Sequence, residues 1–452
     1  MFKYFPHTSD DIQEMLRVIG VNSIDELYDD IPEELKLHRD LQIPSEKSEL
    51  EVRRIINDLA ESNSKLTCFA GAGVYDRYTP SVVPYMASRS EFSTSYTPYQ
   101  AEISQGTLQY VFEYQTMMAD LTGMDISNAS MYDDSTATAE AMLMCVAAAR
   151  KRNKVLMSAT FNPAVIKVVE TYAKYHGVEL VIVPSKDGLT DLSAAKTLID
   201  GNDIAGFLVA QTNYYGFIED LSGLADYCHE HKTLLVVNTM ASALCVLKTP
   251  GELGADIACG SAQSLGVPMA YGGPHIGYFC TTNQLVRKMP GRLVGVTTDS
   301  EGRRAFVLTM QAREQHIRRE KATSNICTSQ GLICLYVACY LSLMGEAGLQ
   351  EVNSRSYSSA HYLHDELIKT GLFEDSFPEH PYLNEFTITA KSNVKHLRNE
   401  LAAQGFLFGV ITEGLENSLT VCSTEVRTKQ EIDALVEAVK AVCSGETKKK
   451  TK

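Results

Sequence analysis

Between residues 111 and 290, short apolar runs alternate with segments of helical pattern, and this alternation restricts the fold more than any other feature of the chain. Residues 155–158, 180–183, 206–210, 234–237 and 257–259 are apolar runs of strand length. Helical segments, such as 222–231, separate most of them. Continuous apolar runs mark strands covered on both faces, so the pattern predicts an α/β domain with a mostly parallel, doubly wound sheet. The run 277–280 reads as an added antiparallel strand.

The flanks differ. In the first ~60 residues, Thr8-Ser9-Asp10-Asp11 offers an N-cap and an acidic first turn, and Gly20 a C-terminal stop. Ser23 with Glu26 reads as a capping box for a second short helix, which Pro32 ends. A third helix runs from about Glu46, with Leu50, Ile55 and Leu59 on one stripe. Residues 1–65 are thus expected to form a helical arm, with too few apolar residues for a core. Residues 66–110 are rich in Gly, Ser, Thr, Tyr and Pro and too long for an idle connection. The large domain is expected over 66–330. A long helical pattern over about 304–369 leads on, with 331–370 as connecting helices. A small α+β domain follows over 371–445: strands at 385–389, 406–408 and 419–422, helices at 393–403 and 429–442, the last capped by Thr428 and Glu431.

The net charge of −15 argues against nucleic acid as a partner. The basic tail 446–452 reads as a frayed terminus. Eleven cysteines without a C-x-x-C spacing give no support to a metal site or redox pair, and imply reduced thiols in a cytoplasmic protein. No signal peptide and no uninterrupted apolar stretch of ~20 residues is visible, so no membrane span is expected.

Three positions bear on cofactor chemistry. Gly260 to Pro268, followed by Tyr271-Gly272-Gly273-Pro274-His275, reads by itself as a glycine-rich turn. In pyridoxal-phosphate (PLP) enzymes of the aminotransferase fold, the Schiff-base lysine stands here, just before the antiparallel strand, because only an amine forms the aldimine. This segment has no lysine. The run 234–237 ends on Asn238, where that fold places an aspartate to keep the pyridine nitrogen protonated. At Tyr132-Asp133-Asp134-Ser135, two carboxylates stand where a phosphate cradle would be, and the segment reads instead as an N-cap with an acidic first turn.

Longer stretches carry a resemblance. They are Tyr4-Phe5-Pro6-His7-Thr8, Phe69-Ala70-Gly71-Ala72-Gly73-Val74-Tyr75, Tyr96-Thr97-Pro98-Tyr99-Gln100-Ala101-Glu102-Ile103-Ser104-Gln105-Gly106, Phe112-Glu113-Tyr114-Gln115-Thr116 and Lys321-Ala322-Thr323-Ser324-Asn325-Ile326-Cys327-Thr328. Through them the chain resembles the alpha-subunit branch of the glycine cleavage system P-protein family along nearly its whole length. The resemblance implies a large aminotransferase-like (fold type I) domain and a small C-terminal one. It implies an enzyme that decarboxylates glycine with PLP, releases CO2 and passes the aminomethyl group to the lipoyl arm of the H-protein. It further implies a homologous beta subunit that carries the PLP lysine in a His-Lys-x-Phe motif, in an α2β2 assembly. That lysine aligns with Gln263, so Gln263, Asn238 and Asp134 are expected to be vacated PLP positions and this chain to bind no PLP covalently. Asp134 departs from the glycine expected in the family.

A chain without the lysine can still complete its partner's site across a two-fold interface. Ala322-Thr323-Ser324-Asn325 resembles an element that reaches a neighbour's PLP phosphate, and Thr323 or Ser324 reads equally as a helix cap. The loop 96–105 offers Tyr96, Tyr99, Glu102 and Gln105 for a small polar pocket, or for packing against the homologous subunit. No residue is assigned a catalytic role with confidence in this chain, and no metal ligand is identified. Two other readings stand beside the enzyme subunit: a purely structural or regulatory partner of the beta subunit, and an independent PLP enzyme with an unrecognised lysine. Gln263 and Asn238 argue against the latter.

Overall fold

The computed structural model describes residues 5–445. They form two compact units, one ending at Ser64 and the other beginning at Lys65. The tail 446–452 lies outside the described residues.

The first unit is held by its caps. The Thr8 side chain accepts from the Asp11 N–H while the Asp11 carboxylate accepts from the Thr8 N–H, fixing the start of helix Ser9–Ile19. Ser48 and Glu51 repeat the device for helix Glu49–Glu61. Ser23 accepts from the Glu26 N–H as expected, but only the single 3-10 turn Asp25–Tyr28 follows. Among the described residues of this unit only Leu16 is buried. Val52, Ile55, Ile56 and Leu59, at i, i+3, i+4 and i+7, make an exposed apolar stripe.

The second unit is built on a seven-stranded sheet: Ile126–Ser127 (β1), Lys154–Ser158 (β2), Glu179–Val183 (β3), Ile204–Ala210 (β4), Leu234–Asn238 (β5), Ile257–Ser261 (β6) and Gly277–Thr281 (β7). Its order is β1-β7-β6-β5-β4-β2-β3. Neighbours from β6 to β3 are parallel, and β7 is antiparallel to both of its partners. The continuous apolar runs follow from burial on both faces. Met157, Leu208 and Val236 point into one core, beneath helix Asp134–Ala149. Leu156, Phe207, Leu235 and Val237 point into another on the opposite face. The two-residue β1 is too short to show a period.

One prediction needs correction. Helical pattern was expected from about 304, yet Arg304–Thr309 is a strand, paired antiparallel with Leu293–Thr298. Phe306 and Leu308 are buried while their neighbours are not, a period of two that the polar run after it obscures. Helix Gly331–Lys369 follows, with a break at Gly345 (φ 56°, ψ −172°). By length and composition alone it is apolar enough to span a membrane. Its Ile333, Val337 and Tyr340 instead enter an apolar core with Leu108, Val111 and Tyr114 of helix Gln105–Thr122.

Toward the C-terminus, Phe373–Asp375, Glu385–Ala390, Ser418–Cys422 and Val410–Ile411 form an antiparallel sheet in that order. Helices Val394–Ala403 and Lys429–Ser444 pack on it, the second capped by Thr428 and Glu431. Strand Phe406–Phe408 pairs instead with Thr67–Phe69.

Candidate functional site

Open α/β sheets bind ligands beyond the carboxyl ends of their strands. At the ends of β5 and β6 here stands the N-terminus of helix Asp134–Ala149, capped reciprocally by Asp133 and Thr136. The start of β7 passes so close that a Cβ on Gly277 would collide with the Asp133 carbonyl. Asp134 faces β5: the Asn238 amide donates to its carboxylate and to the Thr138 hydroxyl (2.8 Å). Burial pushes Asp134 up to about 6; the Asn238 bond opposes this and the Asp133 charge adds to it.

Both amide hydrogens of Gln263 are engaged, and its oxygen accepts one bond. Its Nε2 donates to the carbonyls of Tyr75 (3.0 Å) and Val267 (2.7 Å), and its Oε1 accepts from the Tyr75 N–H (3.0 Å). Glu385 accepts from the Ala72 N–H and the Tyr75 hydroxyl (2.8 Å), and burial pushes it up to about 7 against those bonds. A cavity of about 60 Å³ remains, bordered by Asp134, Asn238, Ser261 and Glu385. These residues do not fit PLP. A bonded amide cannot form an aldimine, a neutral Asn238 cannot hold a pyridinium proton, and Asp133 with Asp134 would repel a phosphate dianion.

The other predicted residues lie elsewhere. Gln105 ties the loop to the hairpin: its Nε2 donates to the carbonyls of Phe306 (2.9 Å) and Ala101 (2.8 Å), and its Oε1 accepts from the Phe306 N–H (2.8 Å). Tyr96 and Glu102 are exposed. Tyr99 accepts from Arg292 Nη2 (2.7 Å) and packs edge-on against His316. Thr323 is exposed, with its N–H on the Arg313 carbonyl. Ser324 accepts from the Ile326 N–H (3.0 Å) and bonds the buried Glu140. Neither caps a helix, since the next begins at Gly331. Two residues beside this region escaped prediction, the buried Arg292 and Glu314, whose Nε and Oε2 are 3.4 Å apart. The only signal for Arg292 was a cation opening an apolar strand.

The family model for the glycine cleavage system P-protein matches residues 2–439. "Probable glycine dehydrogenase (decarboxylating) subunit 1" of Carboxydothermus hydrogenoformans is 49% identical over 97% of this chain and 99% of its own. The protein so named in Listeria monocytogenes is 45% identical over 96% and 98%. A crystal structure of glycine decarboxylase (P-protein) of the glycine cleavage system, in inhibitor-bound form, is 41% identical with a TM-score of 0.91, over 98% of this chain and all of the other. Sphingosine-1-phosphate lyase of Burkholderia pseudomallei, 14% identical at a TM-score of 0.66, covers 90% and 93% and shares the fold alone.

Proposed function

This chain belongs to the glycine cleavage system P-protein family, and from that premise we propose that it is the lysine-less alpha subunit of a two-subunit glycine dehydrogenase (decarboxylating). The reading rests on Gln263, which the resemblance aligns with the lysine and whose amide is engaged at both ends by Tyr75 and Val267. The catalytic amine then has to come from a second, homologous chain, which holds the PLP. In this proposal the two chains form an α2β2 assembly in the cytoplasm and work with glycine and the lipoylated H-protein.

The cofactor supplies the electron sink for decarboxylation when bound to the partner. This chain's part is to position and enclose. Thr323 is proposed to reach the partner's phosphate, and the exposed Tyr96 and Glu102 to line the shared entrance. Support comes from the exposure of Thr323 and from the basic side chains near it, Arg318, Arg319 and Lys321. The test is co-purification with the cognate second subunit, scored for PLP absorbance and glycine-dependent turnover. Turnover by the second subunit alone at the rate of the mixture would leave this chain the purely structural or regulatory role.

A further inference from the structure

Residues 70–79 run on from strand Thr67–Phe69 without helix or strand of their own. Their side chains and backbone bond instead to both domains of the second unit. On the large-sheet side, Gln263, just past β6, takes both backbone groups of Tyr75. Asn162 donates to the Ala72 carbonyl (2.9 Å), and the Thr79 hydroxyl donates to the Gly266 carbonyl (3.3 Å). On the small-domain side, the Ala72 N–H and the Tyr75 hydroxyl donate to Glu385. The Thr424 hydroxyl donates to the Asp76 carbonyl, and Arg427 to the Asp76 carboxylate (3.1 Å). Glu425 accepts from Arg77 (3.0 Å) and from the Tyr78 N–H (2.9 Å). The fit is close: a Cβ on Gly71 would overlap the Glu385 carboxylate.

The two sets of bonds meet at Tyr75, whose backbone is held by Gln263 and whose hydroxyl is held by Glu385. All three residues are buried. The choice of side chain at 263 matters here. A primary amide carries donors and an acceptor together, so it pairs with one residue's N–H and C=O as an antiparallel strand neighbour would. A lysine ammonium has donors only. It would leave the buried Tyr75 N–H without a partner. Away from water such bonds reinforce one another, so the set acts as a unit.

We propose that residues 71–79 are a strap, anchored on Gln263, that ties the small C-terminal domain to the end of β6 and makes the two one cooperative unit. Gln263 is then more than a missing amine: it is the residue through which the strand end and the small domain hold each other in one arrangement. The proposal concerns this chain alone, so it stands or falls apart from the two-subunit reading.

Coupling between two sites is reciprocal, so the strap is tested from both ends. The measurement is amide hydrogen–deuterium exchange by mass spectrometry on the full chain at one pH. Gln263→Leu removes the anchor at similar size. Exchange should quicken at least tenfold in peptides from 70–79, and also in those from 423–427, which Gln263 does not touch. Thr424→Val removes one hydroxyl at the far end. It should quicken exchange at 72–75, next to Gln263, at least threefold. Peptides from β4 should be unchanged in both variants. Gln263→Lys should behave like Gln263→Leu at Tyr75, because the acceptor is lost. Faster exchange confined to 70–79 in Gln263→Leu would overturn the proposal. So would wild-type exchange at 72–75 in Thr424→Val. If Gln263→Leu fails to fold, Thr424→Val decides by itself.

Discussion

Single side chains set the chemistry at the carboxyl ends of the strands. An amide in place of an amine at Gln263 leads to a direct expectation: PLP mixed with the purified chain and reduced with borohydride leaves no stoichiometric lysine adduct, as read by peptide mass mapping. One lysine labelled at unit stoichiometry would defeat it. Glu385 leads to another. Its pKa, raised by burial to about 7, exceeds the unfolded value of roughly 4.3. The folded chain therefore holds a proton that the unfolded chain releases between those values. The stability from this group is full below ~4.3, falls as pH rises through about 7, and levels off above it. Glu385→Gln abolishes that titration. The variant should gain on wild type by up to ~3 kcal/mol between pH 5 and pH 8, as measured by denaturant melts. A difference independent of pH would show that the carboxylate stays charged throughout.

At the scale of elements, five parallel strands and β7 were legible because burial on both faces writes continuous apolar runs into the chain. The N-cap in Thr8–Asp11 and the capping box at Thr428 were legible because their hydrogen bonds close within four residues. The strand Arg304–Thr309 was not, since its partner strand and the Gln105 clamp act through long-range contacts. The same reason hid Arg292 and Glu314, which gain meaning only from each other and from Tyr99. The loop after the hairpin supports a proposal about Thr323. If its hydroxyl reaches the partner's phosphate, Thr323→Ala removes a bond to a charged group worth roughly 1.5–3 kcal/mol. PLP would then be held about ten- to a hundred-fold more weakly by the assembled complex. Ser264→Ala, just beyond the end of β6 in this chain, should change nothing. Release of PLP during dialysis separates the two, and loss in Ser264→Ala alone would put the cofactor in this chain.

For the whole molecule, the question is what a lysine-less chain gains from its fold. The first unit presents Val52, Ile55, Ile56 and Leu59, together with Met15, Val18 and Ile19, as exposed apolar stripes on capped helices. A unit with only one described buried residue has no core of its own to stabilise those helices. Its side chains suit an interface of the obligate class, which buries roughly 2,000–5,000 Å². In an α2β2 assembly the arm would clasp the second subunit. Deleting residues 1–61 should then leave the melting temperature of the isolated chain within a few degrees of full length, while weakening association with the cognate subunit by at least tenfold in sedimentation. Glycine turnover should fall in proportion to the complex lost, and return at subunit concentrations high enough to restore it. A truncated chain that unfolds by itself would show that the arm serves its own chain. One that associates with full affinity would show that the second subunit is held by the sheet-bearing unit alone.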